Sequence, residues 1–404
     1  MVIFKSMRFT FRKKEKTEER KIRYILTIDG GGMRGIVPAF ILEKMNDFLK
    51  EKTERPLYSY FDLVAGTSTG ALIALGLTSP TEDTHFTKEE GDEYKVEKTV
   101  TTGRIFRKQH TETDGFVERT ADPDNFVDLY RKNGKNIFLK KEVKGLRKLV
   151  DKVSRLFSDK YEIEPYEEFL SSMYGETELS EALVPTMAVA FNADGGHEYI
   201  FRSWDSHDYL VREAARASSA APTYFAPAKF IDRKTDEELT LLDGGIIANN
   251  PVLTAYIEAR KLYPDADEYR ILSLSTASTV LRMDIDEFSS NLDWMGPLLS
   301  AYGAANMNIS LETAESIKGV KILRVWKDVL KTHIPLDDTS DEAVNTLLEA
   351  AEEIWENQKD EIKAFLTTMV DNDGLPQKLK LRRENDAQPS IEERKEESLA
   401  LPSL

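Results

Sequence analysis

The feature that most restricts this chain is an apolar run that stops at an aspartate and three glycines. It reads Ile25-Leu26-Thr27-Ile28-Asp29-Gly30-Gly31-Gly32, continues through Met33-Arg34-Gly35, and gives way to residues with helical apolar spacing. The apolar and β-branched character of Ile22–Ile28 predicts a buried strand, and the spacing over Ile36–Leu49 predicts a helix. A second unit of the same kind follows at once. Tyr60–Ala65 reads as a short strand, Gly66-Thr67-Ser68-Thr69-Gly70 as its loop and Ala71–Leu77 as the next helix. Further strands are expected at Val184–Phe191, Tyr199–Arg202, Leu239–Leu242, Ile271–Leu274 and Val320–Trp326, and helices at Tyr209–Ala217, Val252–Lys261 and Glu342–Met369. Alternating strands and helices predict an α/β fold with a largely parallel sheet, whose functional loops sit at the carboxyl ends of the strands.

Three segments stand outside this rhythm. Residues 1–21 form a basic leader in which Phe4, Phe9 and Phe11 interleave with Lys and Arg; it reads either as a solvated end or as a peripheral contact with an anionic membrane. Thr81–Asp122 is polar, but alternation around Thr101-Thr102-Gly103 predicts a hairpin insertion at 81–122. Residues 376–404 are charged and read as a loose tail, which leaves 22–375 as the expected domain.

Composition removes several classes of function. A formal charge of −16 argues against a broad nucleic-acid-binding face. The absence of cysteine excludes disulfides, thiolate metal sites and cysteine catalysis, and is compatible with a reducing compartment. No apolar run approaches the roughly 18 residues of a membrane span, and the leader has no apolar core of a secretory signal. The expectation is a cytoplasmic protein, peripheral to a membrane at most.

Gly30-Gly31-Gly32-Met33-Arg34-Gly35 satisfies the dinucleotide-binding pattern G-x-G-x-x-G, and that reading makes a checkable demand. An acidic residue should close the next strand, about 20 residues on, to hold a ribose. Here Asp47, Glu51 and Glu54 fall in the helix or its exit, while the next strand ends in Ala65-Gly66. The alternative is an oxyanion hole, with the amides of Gly30, Gly31 and Gly32 converging at a helix N-terminus on developing negative charge. Arg34 would then either stabilise the loop or attract an anionic head group.

Ser68 occupies the centre of a G-x-S-x-G sequence between a strand and a helix, the setting of a nucleophile elbow. Gly66 and Gly70 on either side leave room for a strained turn. The plainer reading is a serine that caps an ordinary helix. A serine nucleophile needs a base. The five histidines, His85, His110, His197, His207 and His333, all lie in polar surroundings that suit surface residues. A carboxylate is the other choice. Asp243 ends the apolar strand Leu239–Leu242 and opens Gly244-Gly245, ahead of Asn249-Asn250-Pro251. Asp194-Gly195-Gly196 is a second Asp-Gly-Gly, but it lies between two strands and reads as a hairpin turn.

These stretches, in this order, resemble the patatin-like phospholipases. The match runs through Ile28–Gly35, Gly66–Gly70 and Asp243-Gly244-Gly245 with Asn249-Asn250-Pro251, and extends to Ala214–Phe225 and Ile271–Thr276. The resemblance implies a three-layer fold with a central, mostly parallel sheet flanked by helices. It implies a Ser68–Asp243 dyad without histidine, an oxyanion hole drawn from Gly30, Gly31, Gly32 and Arg34, and no metal or cofactor. The implied substrate is a membrane phospholipid or another acyl ester. A ligand- or partner-activated effector phospholipase is a second expectation, and a non-catalytic lipid- or partner-binding module a third.

Overall fold

The run Ile22–Ile28 forms strand β1 with the bounds predicted for it. In the computed structural model, which describes residues 21–53, 56–80, 94–102, 108–117, 122–139, 161–205, 209–233, 235–277, 295–328, 330 and 334–372, β1 leads through a 3-10 turn (Gly32–Gly35) into helix α1 (Ile36–Lys50). The second unit is β2 (Leu63–Thr67) and α2 (Thr69–Thr78). The strand begins later than Tyr60 for a local reason. Leu57–Tyr60 is a 3-10 turn behind Pro56, and the Asp62 carboxylate accepts a hydrogen bond from the Tyr24 amide (2.7 Å) before ladder pairing starts.

Within the predicted insertion, β3 (Tyr94–Thr102) and β4 (Lys108–Val117) pair antiparallel as a separate two-stranded sheet. Helices α3 (Phe126–Ile137) and α4 (Glu164–Tyr174) follow; neither is evident in the sequence, α3 because Asn133 and Gly134 weaken its helical signal. The second half runs β5 (Thr186–Asn192), β6 (His197–Arg202), α5 (Val211–Ser218), β7 (Ala228–Ile231), β8 (Glu238–Asp243), α6 (Gly245–Ala248) and α7 (Val252–Leu262). It closes with β9 (Glu268–Leu274), α8 (Met295–Glu315), β10 (Val320–Val325) and α9 (Asp341–Asp371). The expected leader and tail lie outside the described residues, except for Lys21.

Among the described residues the main sheet has eight strands, in the order β10-β9-β1-β2-β5-β8-β7, with β6 paired to β5. Pairing is parallel from β10 to β5 and antiparallel where β5 meets β6 and β8. Residues of β1 alternate between two apolar layers, as the period of a strand requires. Tyr24, Leu26 and Ile28 pack in a core that includes Leu42 and Met45 of α1 and Leu347 and Ile354 of α9. Ile25 packs on the other face with Val252, Ala255 and Ala259 of α7. The result is the expected α/β architecture, a mostly parallel sheet between helical layers.

One register decides the geometry of the site. Strand β5 carries Val189 opposite Thr67 of β2 and the next residue, Ala190, opposite Asp243 of β8. Parallel β2 and antiparallel β8 therefore both end at the same level of β5. Ser68 and Asp243, remote in sequence, are delivered to one point.

Candidate active site

Ser68 stands between β2 and α2 with φ +54° and ψ −124°, a left-handed backbone that a non-glycine residue adopts only at a cost of about 1–3 kcal/mol. The surroundings enforce it. A Cβ on Gly66 would lie 2.1 Å from the Gly70 carbonyl oxygen, and one on Gly70 would lie 2.2 Å from the Ile28 carbonyl oxygen. Only glycine at both places lets the turn close this tightly against β1. Ser68 is not a side-chain helix cap; its Oγ makes no capping bond to α2 and donates to Asp243 Oδ2 at 2.6 Å.

Asp243 is buried (7% exposed) at the end of β8. Its second oxygen, Oδ1, accepts from the Gly245 amide at 2.7 Å, which fixes the carboxylate plane. Burial pushes its pKa up to about 6, although hydrogen bonds from Ser68 and Gly245 pull the other way. A carboxylate in that range is ionised near neutrality and is a far better proton acceptor than one in water. Gly244 permits the approach, since a Cβ there would meet the Val189 carbonyl oxygen at 2.2 Å. Ser218, at the end of α5, joins the two strands. Its Oγ accepts from the Ser68 amide (3.0 Å) and donates to the Val189 carbonyl (2.5 Å).

The glycine loop lies against the serine, for a Cβ on Gly30 would sit 3.2 Å from Ser68 Cβ. Its amides are not equivalent, contrary to the expectation of three convergent donors. The Gly30 amide donates to the Asn249 carbonyl (3.0 Å) and is spent. Among the described residues the amides of Gly31 and Gly32 have no acceptor. Gly31 is buried, so leaving its amide unpaired is costly unless a ligand supplies the acceptor.

Arg34 takes the loop-stabilising role, one of the two expected of it. Its amide (3.1 Å) and its Nε (3.3 Å) both donate to the Gly31 carbonyl, so it supports the loop from that side. Burial lowers its pKa to about 10, against the opposing effects of Tyr224 and Asp29. Asp29, 1% exposed, is held by Arg324 of β10, which donates to both carboxylate oxygens and, through Nη1, to Ser273 Oγ (2.9 Å).

The competing candidates lie elsewhere. Asp194 sits in the turn joining β5 to β6, where its Oδ2 accepts from the Thr240 amide at 2.7 Å. His197 is exposed, with Nδ1 on the Glu198 carbonyl (2.8 Å). His85, His207 and His333 lie outside the described residues, and His110 is described by its backbone alone. Among the described residues no group of three acidic or histidine side chains is placed to hold a metal ion. Ser218, Asn249 and Thr276 fall within the stretches that carry the family resemblance and Arg324 does not, but the contacts of all four were hidden in the sequence, because each meets the site from a different element.

A partly exposed serine hydroxyl on a strained turn, a buried carboxylate as its hydrogen-bond acceptor and two unpaired amides alongside form a constellation suited to acyl transfer. Residues 26–256, more than half of the chain, match the patatin family, described as patatin-like phospholipase. Patatin-like protein 2 of Oryza sativa subsp. indica is 29% identical over 256 residues, covering 60% of this chain and 54% of the relative. Patatin-like protein 1 of Arabidopsis thaliana is 30% identical over 278 residues, covering 63% and 59%. The calcium-independent phospholipase A2-gamma of Oryctolagus cuniculus is 28% identical over 358 residues, which is 83% of this chain and 38% of that protein. The chain thus spans about half the length of the curated plant relatives it matches. The family match spans both the Ser68 loop and the Asp243 loop, and the chain belongs to the patatin-like phospholipase family.

Proposed function

We propose that this protein is a serine acyl hydrolase that cleaves fatty-acyl esters of membrane phospholipids. The reading rests on one observation above the others, the 2.6 Å hydrogen bond from Ser68 Oγ to a buried carboxylate, Asp243, whose pKa is near 6. Asp243 takes the hydroxyl proton as Ser68 Oγ attacks the acyl carbonyl. The carbonyl electron pair becomes an oxyanion that faces the unpaired amides of Gly31 and Gly32. As the C–O bond to the leaving alcohol breaks, that alkoxide receives the proton held by Asp243. Asp243 then deprotonates a water molecule that attacks acyl-Ser68, the fatty acid departs, and the proton returns to Ser68.

Calcium-independent phospholipase A2-gamma, named for action on phospholipids, is a relative over 83% of this chain, which supports phospholipid rather than a neutral ester as substrate. The test is fatty-acid release from phosphatidylcholine vesicles by wild type and Ser68→Ala. The variant is expected to release none while keeping its melting temperature. Release at the wild-type rate in a clean preparation would refute the assignment. Wild-type cleavage of monoacylglycerol with no cleavage of the vesicles would refute the substrate class and leave the nucleophile standing.

A further inference from the structure

Gly31 and Gly32 donate nothing to the described structure, yet the other end of each of their peptide units is held firmly. The carbonyl of Gly30 accepts from Thr276 Oγ1 at 2.8 Å and from Asn249 Nδ2 at 3.3 Å. The carbonyl of Gly31 accepts from the Arg34 amide at 3.1 Å and from Arg34 Nε at 3.3 Å. No peptide bond here is cis. In a trans peptide unit the C=O and the following N–H point in opposite directions along one rigid plane. A donor that holds the Gly30 carbonyl therefore sets the direction of the Gly31 N–H, and one that holds the Gly31 carbonyl sets that of Gly32.

We propose that Thr276, with Asn249 in support, is a positioning residue that aims the Gly31 amide at the oxyanion by gripping the carbonyl on the far side of its peptide. The inference rests on the acyl-hydrolase reading above. The fold places Thr276 there for a simple reason. Strand β9 pairs with β1 so that Leu274 lies opposite Ile28, and the Asp29 amide continues the ladder onto the Leu274 carbonyl (3.0 Å). Two residues beyond Leu274 is Thr276, and two beyond Ile28 is Gly30. Thr276 is buried, and its hydroxyl fills the space that a Cβ on Gly31 would occupy, at 2.5 Å. Glycine loops are the least self-ordering backbone in a protein, since they lack the Cβ that limits φ and ψ. An oxyanion hole made of such a loop works only if something outside it removes that freedom before the reaction begins.

The experiment compares wild type, Thr276→Val, which keeps the shape and deletes the hydroxyl, and Thr276→Ser, which keeps the hydroxyl. Each is assayed on a soluble acyl ester and for inhibition by a trifluoromethyl ketone that forms a tetrahedral adduct with the nucleophilic serine. Losing one oxyanion donor outright costs about 10²–10³ in kcat. A donor that is present but badly aimed should fall about 10–100-fold, in kcat and not in KM. The trifluoromethyl ketone should lose affinity in proportion, because its adduct carries the same oxyanion. Thr276→Ser should restore both. A wild-type kcat in Thr276→Val, a loss confined to KM, or unchanged ketone affinity would overturn the proposal. Should Thr276→Val fail to fold, Asn249→Ala is read by the same criteria, with a smaller loss expected from its longer bond. Failure of the underlying reading looks different, since Ser68→Ala would then remain active whatever Thr276 does.

Discussion

Lowering the pH through 6 tests the base directly. Asp243 must be ionised to take the Ser68 proton, and burial has lifted its pKa from 3.8 to about 6. At pH 5 roughly a tenth of the molecules would hold the carboxylate, so kcat/KM should fall about tenfold for each pH unit below 6 and level off above it. Stability should move the other way. The folded protein binds this proton more tightly than the unfolded chain does. The stabilising contribution is therefore fully present below the unfolded value and is lost as pH rises through about 6. Lifting the carboxyl from 3.8 to about 6 corresponds to roughly 3 kcal/mol given up when Asp243 ionises. The assay is a pH–rate profile on a soluble short-chain ester, which avoids changes in the charge of a lipid surface. Urea denaturation of wild type and Asp243→Asn at pH 5 and pH 8 accompanies it. The variant should be inactive at both, and its stability relative to wild type should be greater at pH 8 than at pH 5. A profile flat from pH 5 to 7, or one with its midpoint near 4, would refute the argument that burial tunes the base.

Gly70→Ala should abolish activity and lower stability by about 1–3 kcal/mol or more, because the new methyl would lie 2.2 Å from the Ile28 carbonyl oxygen and 2.7 Å from that of Asp29, forcing β1 away from the elbow. Thermal melting together with the ester assay checks both effects. Arg324→Met leaves Asp29 buried without its partner and should cost about 3–5 kcal/mol in urea denaturation. Burial already raises the Asp29 pKa, so the loss should be smaller at pH 5 than at pH 8, and adding Asp29→Asn should recover part of it.

Much of the fold was legible because its units are local. The apolar run of β1, the glycines after it and the helical spacing of α1 sit within one stretch of sequence and need no distant partner to be recognised. The same holds for the elbow, where Gly66, Ser68 and Gly70 lie between strand and helix, and for Asp243, which ends an apolar strand. Elements with weaker local signals escaped, such as α8, whose Gly296, Pro297 and Gly303 disguise a 21-residue helix that packing stabilises. Its place at the end of an apolar strand made Asp243 a better candidate than Asp194 in its hairpin turn, but distance in sequence gave no account of how a residue 175 positions away reaches Ser68. That was decided by the register of β5, which sets Thr67 and Asp243 against consecutive residues.

The glycine loop marks the boundary most clearly. Its sequence alone determines that the backbone there can be approached closely and that its amides open a helix. It does not determine which amides remain available. Hydrogen-bond partners are assigned by neighbours in space: the Asn249 carbonyl takes the Gly30 amide, while Thr276 and Arg34 hold the carbonyls whose peptides end in the Gly31 and Gly32 amides. Three equivalent glycines in the sequence become one structural donor and two that are unpaired among the described residues, because a backbone N–H can be given away only once.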